Sequence, residues 1–315
     1  MTTAVEAPRA PNLTLAIPYY SNLPLLLETL RSIGAQTGAA VTALICDDSP
    51  DGLGDDARAR LVAACAPVPL RIVKNPTTLG MARNWSRCLD EAETDLVTIV
   101  HGDDELEPDY ARTMLALAAR APDASALFCG ARIIDTRGAP RFSFPDAYKD
   151  LLIPRHDDVL WLTGERALRS LMRGWYIFCP TLCYRRAKLG ALRFDPRFRM
   201  VLDVDFVTRL LLDGHTLAGL PRARMYRYRR HAENATQHLT KELTRFREES
   251  ALHLDLAARA EALGWRRSAR TARQRRIIQL NLLFCMARDL RGREWDDLKG
   301  KVGLFRELFS PTAAR

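Results

Sequence analysis

The sequence predicts an α/β protein: a mostly parallel sheet with helices on both faces, followed by a helical C-terminal segment. Three observations predict it. Short apolar runs alternate with single helix-period stretches through residue 120, a pattern that requires crossover connections between parallel strands. Polar clusters, Tyr19-Tyr20, Asp47-Asp48 and Asp103-Asp104, fall just after three of those runs. Beyond Leu239 the spacing is helical to the end.

Each element has its own signal. Residues 13–18 (L-T-L-A-I-P) form a short apolar strand ended by proline. Leu23, Leu26, Leu27, Leu30 and Ile33 then recur at helical spacing, and Gly34 stops that helix. Residues 41–46 (V-T-A-L-I-C) read as a second buried strand that delivers Asp47 and Asp48 at its end. A helix over 57–64, a strand over 70–73 and an Asn75-Pro76 turn follow. The next helix spans about 80–92, and 95–100 (D-L-V-T-I-V) is the fourth strand. A helix over 108–120 is expected to open at Pro108, a favoured first-turn position. From about Leu127 the alternation becomes irregular. Residues 140–160 carry Pro140, Pro145 and Pro154 and read as a long loop or lid, a kind of segment that is usually functional. In the last segment an apolar stripe falls at Ile277, Leu280 and Phe284, with a break at Gly264-Trp265.

Composition narrows the classes. A chain of 315 residues, 47% hydrophobic and 27% charged, suits one large α/β unit or two moderate domains. No run approaches the ~20 apolar residues that cross a bilayer, and no signal peptide is visible, so a cytoplasmic location is expected. The seven cysteines are scattered without a C-x-x-C pair, which argues for buried, reduced thiols over a zinc or disulfide framework. Of the +9 net charge, much lies at 241–315, where 17 Lys/Arg face 10 Asp/Glu. That excess suits an anionic lipid surface or an acidic partner. It carries no nucleic-acid reading motif, and few aromatics sit between its arginines.

In an open parallel sheet, ligands gather outside the carboxyl ends of the strands. Three polar clusters are therefore expected on one sheet edge. Adjacent carboxylates there suit a hard divalent cation, Mg²⁺ or Mn²⁺, with substrate phosphates completing the coordination shell. The competing reading of Asp103-Asp104 is an N-cap for the helix that follows, with Asp104 or Glu107 as the capping group.

Here a resemblance enters. A-I-P-Y-Y-S-N at 16–22, C-D-D-S-P-D-G at 46–52, G-M-A-R-N at 80–84 and H-G-D-D at 101–104 resemble successive signatures of family 2 glycosyltransferases. L-D-V-D-F-V-T-R-L at 202–210 resembles the acidic helix of that family, and Y-R-R-H-A-E-N-A-T at 228–236 its closing segment. The match covers about residues 12 to 236, in order. It implies the A-type glycosyltransferase fold, a Rossmann-like sheet joined to an acceptor-binding half. Residues 12–110 would form the nucleotide-sugar-binding half, 111–238 the acceptor and base half, and 239–315 a basic helical extension.

Position by position, the resemblance implies that Tyr20 stacks on a nucleotide base while Pro18 presents backbone groups to it. Asp48 would accept from the base imide, favouring uracil or thymine. Arg83 would lie near the diphosphate, Asp103 would contact ribose or sugar, and Asp104 would bind the metal. His231 would approach metal or diphosphate, beside Arg229 and Arg230. Asp203 matches the general base that takes the acceptor hydroxyl proton. Asp205 either contacts substrate or pairs with Arg209 four residues on. Two positions depart from the family pattern: His101 stands where an acid is common, and Leu202 where Glu often precedes the base. The second departure leaves Asp205 as a rival base. Trp161, Trp175 and Tyr176 are expected to shape the acceptor site.

The implied function is inverting, metal-dependent sugar transfer from a UDP- or dTDP-sugar donor to a hydroxyl acceptor, with peripheral membrane contact through the basic tail. A single base suffices because the diphosphate is already a good leaving group, unlike the paired carboxylates of a glycosidase. A sugar nucleotidyltransferase would want a Gly-rich loop with lysine after the first strand, and P-Y-Y-S-N has neither. A non-catalytic nucleotide- or carbohydrate-binding protein with a vestigial site is the other alternative.

Overall fold

The computed structural model describes residues 12–230 and 239–309. His231 and the Asn234-Ala235-Thr236 triplet lie outside the described residues. The parallel half of the sheet consists of β1 (Leu13–Tyr19), β2 (Val41–Asp47), β3 (Leu70–Lys74) and β4 (Leu96–Ile99). They pair in the order β3-β2-β1-β4. The crossovers are α1 (Leu23–Gly34), α2 (Asp55–Cys65) and α3 (Met81–Glu91).

β1 lies between two neighbours with both faces covered. Leu13, Leu15 and Ile17 pack with Leu26 and Leu30 of α1 and Leu61 of α2, while Ala16 meets the opposite core with Trp85 and Leu89 of α3. Two-sided burial explains why this strand is written as a continuous apolar run. Each fully buried Leu or Ile contributes about 1.5–3 kcal/mol. A one-residue slip would send all three to the other face, so register at the site is firmly set.

Past β4 the sheet becomes mixed, and here the sequence pattern was least regular. β8 (Cys183–Arg185) enters antiparallel between β4 and β6 (Ala124–Ile134). β9 (Thr216–Arg229) runs parallel to β6 and antiparallel to β5 (Glu105–Leu106) and β7 (Leu160–Thr163). The parallel arrangement thus belongs to the first half, and the second is completed by antiparallel insertions. α4 (Tyr110–Arg120) starts two residues after Pro108, because β5 occupies 105–106 and pins that stretch to β9. The 140–160 stretch, expected as a loop or lid, contains α5 (Phe144–Leu152).

α6 (Gly164–Arg173), the short α7 (Arg186–Leu189) and α8 (Leu202–Leu212) complete this half. The C-terminal segment forms α9 (Thr244–Ala262), α10 (Arg266–Gln274), α11 (Arg276–Gly292) and α12 (Trp295–Phe309). The expected break at Gly264-Trp265 falls between α9 and α10. Leu252, Leu256 and Ala269 join the same core as Phe206 of α8 and Leu168 of α6, so the extension is packed onto the sheet domain. In α11 the inward residues are Ile278, Leu282 and Cys285. Two members of the expected stripe, Leu280 and Phe284, instead face outward, 56% and 46% exposed.

The two halves of the sheet are joined by one buried cation. Arg229, at the end of β9, is 1% exposed. Its Nε donates to the Asp103 carbonyl at 2.8 Å, and its terminal nitrogens reach Glu28 of α1 at 2.7 Å, Glu105 of β5 at 2.5 Å and the Thr136 carbonyl at 2.9 Å. Its backbone N–H donates to Asp104 Oδ1 at 2.7 Å. Removing one partner of a buried ion network costs about 3–5 kcal/mol. Arg229→Ala should therefore lower unfolding free energy by about that amount in urea titrations at pH 7, and a loss under about 1 kcal/mol would show that the guanidinium does not hold the loop.

Candidate active site

The carboxyl ends of β1, β2 and β4 supply one rim of the site. β1 ends at Tyr19, which is buried, followed by Tyr20, 55% exposed. Pro18 is half-buried beside them. The backbone N–H of Asp48 donates to the Tyr19 carbonyl at 2.8 Å, which holds the ends of β1 and β2 together.

Asp48, expected beside the nucleotide base, lies just past the end of β2. It is 2% exposed. Its Oδ1 accepts from Asn75 Nδ2 at 2.8 Å and from Leu79 N at 2.7 Å, and its Oδ2 from Gly80 N at 2.9 Å. The carboxylate thus organises the 75–80 turn. The G-M-A-R-N motif belongs to the same device. Gly80 sits at φ 81°, a left-handed conformation that a side chain would strain. Asn84 accepts from Asn75 at 2.9 Å and donates to the Cys46 carbonyl at 3.0 Å. Arg83, between them, is exposed on the first turn of α3.

The H-G-D-D loop after β4 forms a second group. One ligand atom from each of His101, Asp103 and Asp104 lies within 4.8 Å of the others. Asp103 is half-buried and Asp104 is 1% exposed. The N-cap reading fails: α4 begins at Tyr110, behind Asp109, six residues beyond Asp104. Asp104 Oδ1 is held by Arg229, whereas its Oδ2 is buried with no hydrogen-bond partner among the described residues. Burial above all, then the Asp103 charge, pushes the Asp104 carboxyl well above its ordinary range against Arg229 and Tyr226. An orphaned carboxylate oxygen aimed at a second carboxylate and an imidazole fits a divalent cation.

His101 Nδ1 lies 3.6 Å from that orphaned oxygen, and its ring packs on Trp85 at 5.3 Å. Burial lowers the imidazole pKa below 6.5, so the ring is neutral at pH 7 and the close approach is not an ion pair.

Asp203 is the second residue of α8 and 7% exposed. Burial raises its carboxyl to about 6, opposed by the backbone N–H groups of Val204 and Asp203, the Lys149 charge and the Trp175 indole. The Trp175 Nε1 is buried without a bond of normal geometry, so it serves as a nearby donor rather than a tight partner. Lys149, from α5, sits 4.0 Å over the Phe178 ring and 3.4 Å from Asp146, which Arg230 also grips at 2.8 and 2.9 Å. Cys179 lies between the two groups. Its Sγ is 3.9 Å from His101 Nε2, and burial followed by the Asp203 and Asp104 charges keeps it a protonated thiol.

Asp205 turns the other way. Its Oδ2 accepts from Arg209 Nε at 2.8 Å and lies 2.6 Å from a terminal guanidinium nitrogen, while Arg209 also donates to the Arg193 carbonyl. It serves as the structural partner of Arg209, which leaves Asp203 as the carboxylate beside Cys179 and Trp175. Of the three aromatics expected at the acceptor, only Trp175 is here. Tyr176 is 4% exposed in the core, and Trp161 lies on β7, opposite Ala218 at the other end of β9 from Arg229. Sequence reasoning missed Lys149, Cys179 and the Asp48–Asn75–Asn84 chain. The Asn pair carried a signal, since two asparagines nine residues apart stand at the start of the turn and in the first turn of its helix.

Comparison with known proteins follows the same lines. The family model for glycosyl transferase family 2 matches residues 14–189, more than half of the chain. The uncharacterized protein MT1568 of Mycobacterium tuberculosis is 29% identical over 209 residues, covering 65% of this chain and 63% of its own length. The chain thus spans under two thirds of that relative. Among solved structures, Staphylococcus aureus TarS 1-349 in complex with UDP-GlcNAc aligns with a TM-score of 0.56 at 17% identity, over 79% of this chain and 66% of that one. The mannosyltransferase PcManGT of Pyrobaculum calidifontis, in complex with GDP-Man and Mn²⁺, aligns with a TM-score of 0.58 at 17% identity, over 96% and 88%. Those two likenesses speak for the fold: a mixed sheet flanked by helices, with further helices at the C-terminus. Among the described residues no helix is long and apolar enough to cross a membrane. On the strength of the family match and the fold, the chain belongs to glycosyl transferase family 2.

Proposed function

We propose that the chain transfers a sugar, with inversion, from a UDP- or dTDP-sugar to a hydroxyl acceptor, using Mg²⁺ or Mn²⁺ and Asp203 as general base. The observation that carries this reading is the placement of Cys179 between the His101–Asp103–Asp104 group and the Asp203 carboxylate. A donor diphosphate on one side of that thiol and an acceptor hydroxyl on the other would meet across a single side chain's width.

Asp104, Asp103 and His101 would hold the cation, which when bound would neutralise the departing diphosphate. The remaining roles belong to the chain itself. Tyr20 and Pro18 at the end of β1 would carry the nucleotide base, and Arg83 and His231 would lie along the phosphates. Asp203, raised to about 6, is ionised at pH 7 yet basic enough to take a proton from the attacking hydroxyl. Trp175 and Lys149 would orient that carboxylate and limit the cost of its charge. With Asp48 enclosed, base preference rests on Tyr20 and Pro18, so GDP is the natural rival to UDP and dTDP.

A thermal-shift panel of UDP, dTDP and GDP, each with and without Mn²⁺, tests the donor class. Stabilisation by UDP or dTDP with metal is expected, worth about 2.7 kcal/mol at a hundredfold excess over Kd. A response to GDP alone would replace the donor, and silence from all three would overturn the reading.

Asp203→Asn should keep the nucleotide response and lose transfer by about 10²–10⁴-fold. Full turnover would move the base elsewhere, and full nucleotide binding with no turnover in the native chain would favour a vestigial site. In the native chain kcat/KM should fall about tenfold per pH unit below about 6, as Asp203 takes up a proton. The same shift has a signed effect on stability. The folded value, about 6, exceeds the ordinary 3.8, so the native state loses stability as pH rises from about 4 to 6 and remains lower above. Asp203→Asn should thus raise unfolding free energy at pH 7.5 by on the order of 3 kcal/mol, with the gain vanishing near pH 4.

A further inference from the structure

The outer face of the C-terminal helices has no part in the site described above. Residues 266–293, spanning α10 and α11, hold nine arginines and a single acid, Asp289. Asp289 is 1% exposed and engaged by Lys301 at 2.5 Å, so the surface of this stretch is wholly basic. α11 is apolar on two faces. Ile278, Leu282 and Cys285 pack inward, while Leu280, Leu283 and Leu290 point outward at 56%, 47% and 54% exposure. Spacings of three and seven residues put those leucines on one stripe.

This face also reaches the acceptor side of the cleft. A Cβ at Gly174 would touch both Leu152 of α5 and Ile277 of α11, so the two helices meet there, one residue from Trp175. α5 carries Lys149, whose charge Asp203 feels, and it exposes Leu151, at 80%.

We infer that α11, with the adjoining end of α5, docks on an anionic lipid surface and brings an acceptor held there to Asp203. The inference rests on the transferase reading and names where its acceptor is presented. Charge decides the occupant. A second copy of this chain would set one arginine-rich helix against another, and a nucleic acid would pair with the arginines but leave the leucines in water. An anionic bilayer interface satisfies both, since a helix of 17 residues, about 25 Å long, can lie in its plane with leucines toward the acyl chains.

The test is sedimentation of the full chain with phosphatidylcholine vesicles, with and without about 30% phosphatidylglycerol. Binding should be at least about tenfold stronger with the anionic lipid, and should weaken in about 0.5 M salt. The triple variant Leu280→Ser, Leu283→Ser, Leu290→Ser should lose about tenfold in vesicle binding while keeping its nucleotide and Mn²⁺ thermal shift. Equal binding to both vesicles, or no effect of the triple variant, would overturn the inference. So would a dimer in solution that the variant abolishes, or tighter binding to a single-stranded oligonucleotide. Absence of vesicle binding by the native chain, with its nucleotide response intact, counts against docking alone, whereas a missing nucleotide response with vesicle binding intact counts against the transferase reading.

Discussion

Two neighbouring carboxylates under the end of a buried strand are stable only with positive charge beneath them, and Arg229 provides it. The guanidinium lies at the junction of β9, β5, α1 and the loop after β4, touching Glu28, Glu105 and the Asp103 carbonyl. Yet what reaches the Asp104 side chain is the backbone N–H of Arg229, and only at Oδ1. One hydrogen bond to one oxygen does not repay the desolvation of a carboxylate, and the pKa of Asp104 stays high. The second oxygen is left as an unmet demand for positive charge, directed at Asp103 and His101. The network that folds the loop thus also leaves this oxygen unsatisfied, a local cost of the kind functional sites carry.

At the opposite wall the balance is struck differently. Asp203 stands in the first turn of α8, where the free N–H groups and the helix dipole favour its charged form by about 0.3–1 kcal/mol. Burial opposes this and wins, since the net displacement is upward, to about 6. Without Lys149 and the Trp175 indole nearby the shift would be larger, and an Asp protonated at pH 7 could not accept a proton. The two groups that moderate the shift come from α5 and from the segment after α6, neither of which carries a family signature in the sequence. The tuning of the proposed base is a property of packing between distant elements.

That division explains what could be read from the sequence. Strand ends were legible because two-sided burial writes a strand as an apolar run, so the residues just past Ile17, Ile45 and Ile99 mark the sheet edge. Which of those edge residues faces the cleft was not legible. Asp47 and Asp48 look available, but both are enclosed: Asp47 accepts from Ser49 and Leu53, and Asp48 from Asn75, Leu79 and Gly80, partners 27 to 32 residues on. Asp203 and Asp205 stay rivals in the sequence, although i,i+4 spacing offers Arg209 as a partner for Asp205, and that is where its carboxylate goes. Arg229 and Arg230 look alike in the sequence, because nothing local marks Arg229 as one of the most buried cations among the described residues. α5 was hidden by its prolines, although Pro145 stands in the first turn, where proline is tolerated.

His101 closes the argument about charge. An acid at that position would be a third carboxylate beside Asp103 and Asp104, with Arg229 already committed to Glu28 and Glu105. It would be walled in by Trp85 and Cys179, neither of which can compensate a negative charge. A neutral imidazole tolerates this enclosure and still offers a nitrogen lone pair. On the proposed reading, the site then presents two carboxylates and one imidazole to a cation, fewer negative groups than the related pattern supplies. A hard divalent ion so held depends more heavily on phosphate oxygens from the donor. Ion and nucleotide would each complete the other's binding site, so the affinity of one should rise with the other by the same factor. On that reading, His101 in place of an acid favours a site filled by metal and donor together over one that keeps its metal alone.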